Sequence, residues 1–421
     1  MIQAMGYRLM DGRWLVRLCF VVVLFLSGLS SANGQSFGID LRNTLMPASG
    51  GMAGTSIAAP QDLLSGINAN PATLTQFHGT QFMLGGAFAG STLNLNQTGA
   101  APAIGVTPFS AKSGTPGSAV PNIGVTQELN AYGLPVTLGL GVIGAAGAGT
   151  SFLKQPQSNG TSTYLLLLEF APSVGVKLTD RLSVGSTLFI GDGFLDGPFV
   201  GTGAMTNALA LRGSVGASYQ LADNTSLGFY YQTRQRFRFK DEVILFNDTV
   251  SRDVHMALPG QIGLGIANSS LMDGKLLVAA DVLYLQWNSA DLFQDIYRNQ
   301  WVLQVGSQYR LNSRTRLRLG YAFAENPIDS NVGTSVAGIA VPGGVPAVKY
   351  LQAQFGVVNQ HRLSAGIGIN DVLPGLDFDA LAGGMFEASQ QFGNLTNVSI
   401  ESYWIGMGFT WRFDRGCCSA N

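Results

Sequence analysis

Long stretches of this chain change character at every second residue, and that rhythm constrains the fold more than any other feature. In "WVLQVGSQYRL", Trp301, Leu303, Val305, Tyr309 and Leu311 fall on one face, with Gln304, Gly306, Gln308 and Arg310 on the other. A β-strand sends successive side chains to opposite faces, so this segment has one greasy side and one polar or small side. "RTRLRLGYAF" repeats the pattern, setting Leu317, Leu319, Tyr321 and Phe323 against Arg316, Arg318 and Gly320. "YWIGMGFTWRF" does so again. These runs are long for a soluble protein, whose strands peak near 5–6 residues. They match the roughly 9–11 residues that a tilted strand needs to cross a bilayer. Trp301, Tyr309, Tyr403, Trp411 and Phe413 stand near strand ends, as in the aromatic girdles of membrane barrels.

Composition supports the same class. Charged residues make up 12% of the chain, against about 25% in an average soluble domain. Glycine is unusually frequent, at 55 of 421 residues. Yet mean hydropathy is only +0.22, and no long apolar run follows Leu29. Arg8, Arg13 and Arg17 precede an apolar stretch from Leu18 to Leu29, followed by small residues around Ala32-Asn33-Gly34. That is the layout of a secretory signal peptide, and the stretch is too short for a membrane helix of about 20 residues. Its removal after Gly34 takes the formal charge from −1 to −3. So small and mixed a charge gives no reason to expect nucleic acid. Cys417 and Cys418 are adjacent near the C-terminus and read as an exposed tail.

Strands are expected to begin near residues 79, 120, 135, 163, 181, 209, 225, 252, 275, 299, 314, 359, 375 and 400. Their connections alternate between tight turns, such as Asn312-Ser313, and longer loops, such as residues 327–358. Short periplasmic turns, long outer loops and an even strand number are the habits of an outer-membrane barrel, with both termini in the periplasm. Closure pairs every backbone group, which the bilayer interior requires. Ahead of the first strand, residues 35–78 carry no sustained alternation. Leu63, Leu64, Ile67, Leu74 and Phe77 favour burial of this segment. A fourteen-stranded barrel needs a filling, so a plug is expected here. Within it, Asn70-Pro71-Ala72 reads as a fixed turn: proline presets φ, and asparagine bonds nearby backbone.

The chain resembles the FadL/TodX family of outer-membrane transporters. The resemblance rests on "GMAGTSIAAPQDLLSGINANPATL", then on "LEFAPSVGVKLTDRLSVGSTL", "VGASYQLADNTSLGFYYQTRQRFRFK", "HMALPGQIGLGIANS", "LLVAADVLYLQWNS", "RLRLGYAFAENPI" and "NQHRLSAGIG", in that order. It implies an all-β fold: a 14-stranded antiparallel transmembrane β-barrel with a small N-terminal hatch in the lumen. It also implies capture of a hydrophobic ligand at the outer face and sideways release through a gap at a kinked third strand. In "PVTLGLGVIGAAGAGTSF" that gap falls at Gly144, Gly147 and Gly149; glycine there either marks a bulge or only relieves crowding. The expected organisation is therefore a signal peptide (1–34), hatch (35–78), barrel (79–413) and periplasmic tail (414–421).

A hydrophobic passage needs an apolar lining. If Asp281 faces inward, so do Leu283, Leu285 and Trp287, which either contact ligand or pack on the hatch. Phe194 and Arg298 complete the candidate ligand set. Arg234, Arg236 and Arg238 read as an inward basic ladder, able to hold a carboxylate or to pair with acids such as Asp241, Glu242 or Asp295. Fatty-acid members hold the ligand's carboxylate with lumen cations, one of them just after the fifth strand. Here that place reads "FIGDGFLDGPF", without Arg or Lys, which leaves uncharged hydrocarbons as well as fatty acids. The expected partners are such a ligand and outer-membrane lipids, around a monomer. No HExxH, GxSxG or phosphate-loop motif points to an enzyme, a metal or another cofactor. A general porin and a structural barrel are the competing readings.

Overall fold

The computed structural model describes residues 42–131, 133–196, 202–203, 205–244, 250–356 and 360–413. The expected signal peptide, the first residues of the hatch, and the tail with Cys417 and Cys418 lie outside the described residues. Fourteen strands form the wall among the described residues. The first five are β1 (Thr80–Gln97), β2 (Ser118–Ala131), β3 (Leu134–Ser151), β4 (Ser162–Lys177) and β5 (Leu182–Asp196). Next come β6 (Thr206–Ala222), β7 (Thr225–Gln232), β8 (Gly260–Ser270), β9 (Leu276–Gln286) and β10 (Gln300–Arg310). The last are β11 (Thr315–Ala324), β12 (Gln360–Leu373), β13 (Leu376–Phe392) and β14 (Thr396–Phe413).

Each strand pairs antiparallel with its sequence neighbours, and β14 returns to β1 from Thr80↔Phe413 to Gln97↔Thr396. That last ladder closes the sheet into a barrel. The alternation in the sequence becomes the two faces of the wall. Leu209, Leu211, Leu264, Leu319 and Ile405 are exposed on the outside, whereas Arg212, Gln304 and Asp281 are buried inside. Aromatic pairs mark both rims: Tyr284 and Trp301, centroids 4.7 Å apart, at the long-loop end, and Phe82 and Trp411, at 5.7 Å, at the turn end. Tight turns use glycine where φ must be positive, as at Gly133 (φ +76) and Gly375 (φ +77).

Two features depart from the expected strand map. A short strand, Phe109–Lys112, lies in the first long loop and pairs with the outer end of β1. The seventh and eighth strands leave the wall at Gln232 and enter it again at Gly260. Between these points Gln235–Ile244 and Ser251–Leu258 form a hairpin outside the wall ladder, and Thr202–Gly203 adds a third short strand to it. A helix, α1 (Leu63–Asn68), belongs to the N-terminal segment. A second, α2 (Val345–Gln354), lies in the loop before β12.

Residues 42–76 fill the barrel, as two short 3-10 turns and α1. Leu63, Leu64, Ile67 and Leu74 are all buried, as expected, and pack with Phe189 and Ala171 of the wall. The wall makes room with glycines. A Cβ on Gly320 would lie 2.1 Å from the Met52 carbonyl carbon, and one on Gly216 would lie 2.1 Å from Asn70 Oδ1. Much of the glycine excess is thereby explained by backbone-close packing between plug and wall.

Candidate functional site

The plug is tied to the wall by specific hydrogen bonds. Asp281 of β9 accepts from the backbone N–H of Ser56 (2.7 Å) and Ile57 (3.1 Å). Gln304 of β10 donates to the Ala53 carbonyl at 2.8 Å, and Asn122 of β2 donates to the Leu45 carbonyl at 2.9 Å. Asn70 makes several bonds at once. Its amide nitrogen donates to the carbonyls of Ile57 (2.8 Å) and Ala217 (3.0 Å), and its oxygen accepts from Ala72 N (3.2 Å). Pro71 then starts the 3-10 turn Pro71–Gln76, where its lack of an N–H costs nothing. The Asn70-Pro71-Ala72 element thus both caps a turn and clamps the plug to β6.

Between plug and wall lies a small chamber of about 20 Å³, room for about one water. Its walls come from β6 (Arg212), β7 (Tyr230, Gln232), β8 (Gln261), β9 (Leu283) and β10 (Gln304), closed below by the plug. Arg212 forms a two-pronged ion pair with Glu169 of β4, Nε–Oε1 and Nη2–Oε2 both 2.8 Å, with neither side chain exposed by more than 2%. Its guanidinium also lies over the Phe189 ring, 4.9 Å from the centroid. Breaking such a pair would strand a charge in a dry interior, at a cost of about 3–5 kcal/mol.

Beside the chamber the wall ladder breaks. β2 and β3 pair from Ala131↔Leu134 up to Asn122↔Ile143 and no further. Beyond that point Ser118–Pro121 pair only with β1, while β3 carries a bulge between Gly144 and Ala146 and pairs only with β4. Pro121, with no N–H to offer a ladder, is the first residue past the last pair. Ala145, at the bulge, lines the chamber. Gly144, Ala146 and Gly147 line a small wall recess of about 20 Å³ together with Val120, Pro121, Leu166, Leu168 and Leu45 of the plug. Gly149 is farther along β3, buried and paired with Tyr164.

The mouth is closed by aromatic packing. Trp287 packs edge-on against Phe293 (5.2 Å) and Tyr297 (5.4 Å), and Phe293 packs against Phe355 at the end of α2. Burial pushes the Tyr297 hydroxyl well above its ordinary pKa, and that of Tyr350 on α2 up to about 12 although Thr161 bonds it. Both shifts report a dry environment. Lys349 of α2 donates to the Asp329 carbonyl at 2.9 Å, and Gln352 bridges the carbonyls of Ile296 and Asp329.

The residues expected to meet ligand separate into two groups. Leu283 lines the chamber, and Leu285 and Trp287 are buried in the mouth cluster, all three on the Asp281 face. Phe194 is not in the lumen: it shares the outward face of β5 with Leu188 and Ile190, and Leu195 points in instead. Arg298 is not in the lumen either. It lies on the outer rim beside Trp301 and Leu303, 3.7 Å from Glu325 and bonded to the Asn326 carbonyl. The arginine ladder is also reversed. Phe237 and Phe239 are buried, while Arg236 and Arg238 face solvent and pair with Asp291 (3.4 Å) and Asp253 (2.7 Å). Parity flips because the chain leaves the wall at Thr233-Arg234.

Sequence reasoning missed Arg212, Glu169 and the glutamines of the chamber. A lone Glu in "LLLLEFAP" and a lone Arg in "ALALRGSVG" were the available signals, since a single charge in an apolar strand needs a partner.

Known proteins fit this architecture. The family model described as outer membrane protein transport protein (OMPP1/FadL/TodX) matches residues 23–197 and 202–343. The fold is similar to the P. putida toluene transporter TodX, with a TM-score of 0.64 and 18% identity over 88% of this chain and 99% of that one. It is similar to a Pseudomonas aeruginosa FadL homologue, with a TM-score of 0.63 and 16% identity over 90% and 100%. It is also similar to the CymD monoaromatic hydrocarbon channel, with a TM-score of 0.58 and 16% identity over 90% and 99%. No curated protein sequence matches the chain. A family model that covers most of the chain, on a closed fourteen-stranded barrel, makes this an outer-membrane protein of the OMPP1/FadL/TodX transport family.

Proposed function

We propose that this barrel lets small hydrophobic molecules cross the outer membrane passively. They are captured in the aromatic mouth, pass the chamber and leave sideways through the wall between β2 and β3. One observation carries the reading: chamber and wall recess lie on two sides of a single bulge, with Ala145 on one side and Gly144, Ala146 and Gly147 on the other. Leu45 of the plug lines the recess and is held by Asn122, the last paired residue of the β2–β3 ladder. The driving force is partition. An aromatic ring that buries about 150–250 Å² at about 25 cal/mol per Å² gains about 4–6 kcal/mol on leaving water.

TodX is described as a toluene transporter and CymD as a monoaromatic hydrocarbon channel, which makes small aromatics the first ligands to test, with fatty acids second. The single chain contains mouth, plug and exit, so a monomer suffices. In proteoliposomes, toluene uptake is expected to fall at least about tenfold, or 1.4 kcal/mol in rate terms, when Gly147→Phe fills the recess, with the barrel still folded. Uptake unchanged by that variant overturns the lateral exit. Sugar flux through the wild-type protein at toluene-like rates would instead establish a general porin.

A further inference from the structure

The wall turns an amphipathic groove toward the membrane at its long-loop end. Trp301 and Leu303 of β10 and Phe323 of β11 form its floor, with Arg298 and Glu325 at its upper edge. The groove holds about 590 Å³, within the range of ligand clefts, about 300–1,000 Å³. Leu303 and Phe323 are directly opposite in the ladder, and Trp301 and Leu303 are about half exposed, at 52% and 49%. Each ring of the floor is braced by a ring on the next strand. Tyr284 of β9 packs on Trp301 at 4.7 Å, and His361 of β12 packs on Phe323 at 5.0 Å. Asn299 donates to the Tyr284 hydroxyl at 2.8 Å, and the Tyr321 hydroxyl is 2.8 Å from His361 Nδ1.

Lipid chains cover the whole outer face of such a barrel, so apolar contact alone distinguishes nothing. The upper edge does. Arg298 Nε and Nη2 donate to the Asn326 carbonyl at 3.4 and 3.3 Å, and Nη2 is 3.7 Å from Glu325 Oε1. Nη1 makes no hydrogen bond among the described residues. The two side chains are exposed, at 59% and 38%, and an ion pair so long and so wet is worth little. The guanidinium is thus held in place by the Asn326 carbonyl and open to a second anion. Glu325 Oε2 accepts from Trp301 N at 3.4 Å, which leaves Oε1 for a further donor. Down β10 the order is charge, flat aromatic ring, then apolar floor. The rings belong to the girdle, the depth at which headgroups meet acyl chains.

We infer that this groove is a binding site for one phosphorylated, acylated glycolipid of the outer leaflet, the lipid A part of lipopolysaccharide. Its phosphate pairs with Arg298, a sugar ring lies on Trp301, a sugar hydroxyl or amide N–H donates to Glu325, and an acyl chain runs over Leu303 and Phe323. A phospholipid offers Trp301 no sugar ring. The inference uses the outer-membrane placement of the barrel with its long loops outward, and it is independent of the route that any cargo takes.

Native mass spectrometry of the full protein, released from detergent, counts bound lipid. Lipid A, the same lipid stripped of its phosphates, and phosphatidylethanolamine are to be titrated in competition. One lipid A is expected to bind, at least about tenfold more tightly than its dephosphorylated form, the worth of one hydrogen bond to a charged group. Arg298→Gln is expected to hold both forms equally, whereas Arg298→Lys keeps the preference, since lysine also pairs with phosphate. Trp301→Leu is expected to weaken both forms alike. Leu209→Ala, an exposed position on β6, is expected to change nothing. Heat-modifiable gel migration checks that each variant is folded. Equal binding of both forms to the wild-type protein, or a preference that survives Arg298→Gln, marks ordinary lipid contact and overturns the site. Phosphatidylethanolamine bound as tightly as lipid A overturns the glycolipid.

Discussion

At the scale of single residues, the wall glycines facing the plug carry a clear prediction. Gly320 lies against the backbone of Met52, which cannot swing aside as a side chain would. Gly320→Ala is therefore expected to destabilise the folded protein by about 1–3 kcal/mol, the usual cost of overpacking. Gly213, on β6, has no atom within 4 Å of the place a methyl group would take, so Gly213→Ala is expected to stay within about 0.5 kcal/mol. Thermal unfolding followed by gel mobility compares the two. The outer hairpin offers a pH test. Asp253 accepts from Asp241 N and from Arg238, which hold its carboxyl below the ordinary value of 3.8. A depressed carboxyl stabilises the folded form above that value and ceases to do so as pH falls through the lower one. Protection of residues 235–244 and 251–258, after correction for the intrinsic pH dependence of exchange, is thus expected to be equal at neutral pH and at about pH 5, and to fall only once the pH drops below the ordinary carboxyl value. The abundance of glycine was legible in the sequence and its purpose was not, because a close approach exists only between segments far apart along the chain.

At the scale of elements, β3 is the informative strand. Its first half has two neighbours and its second half has one. Amides in residues 144–151 that face β2 are expected to exchange quickly, and those bonded to β4 slowly; uniform protection along β3 would mean that the ladder is closed. The sequence suggested a break here from its glycines. It did not point to Pro121, which stands on the other strand and ends the ladder from that side. The misplaced arginines teach a related lesson. Alternation predicts faces only while the chain stays in one sheet. A two-residue exit at Thr233-Arg234 turned Phe237 and Phe239 inward and the arginines out, because burying two phenylalanines outweighs burying guanidinium groups. Phe194 and Leu195 are both large and apolar, so composition alone could not choose which of them enters the lumen.

At the scale of the whole molecule, plug and wall are joined through Asp281, Gln304, Asn122 and Asn70. Deleting residues 42–76 is expected to leave a heat-modifiable barrel and to create a steady ion conductance in planar bilayers that the full chain lacks, since fourteen strands enclose a hole that their own side chains do not fill. A deletion variant as tight as the full chain would show that the mouth loops alone seal the pore. What the sequence determined by itself was the class: a two-residue period, held over spans long enough to cross a bilayer, forces strands, and strands in lipid must close on themselves. It also marked the N-terminal segment as filling, through apolar residues that no strand accounts for. Only the tertiary structure decided where the β2–β3 ladder ends and that Glu169 cancels Arg212. Those properties belong to pairs of residues on different strands, and the register and closure that bring them together are set by the whole ladder.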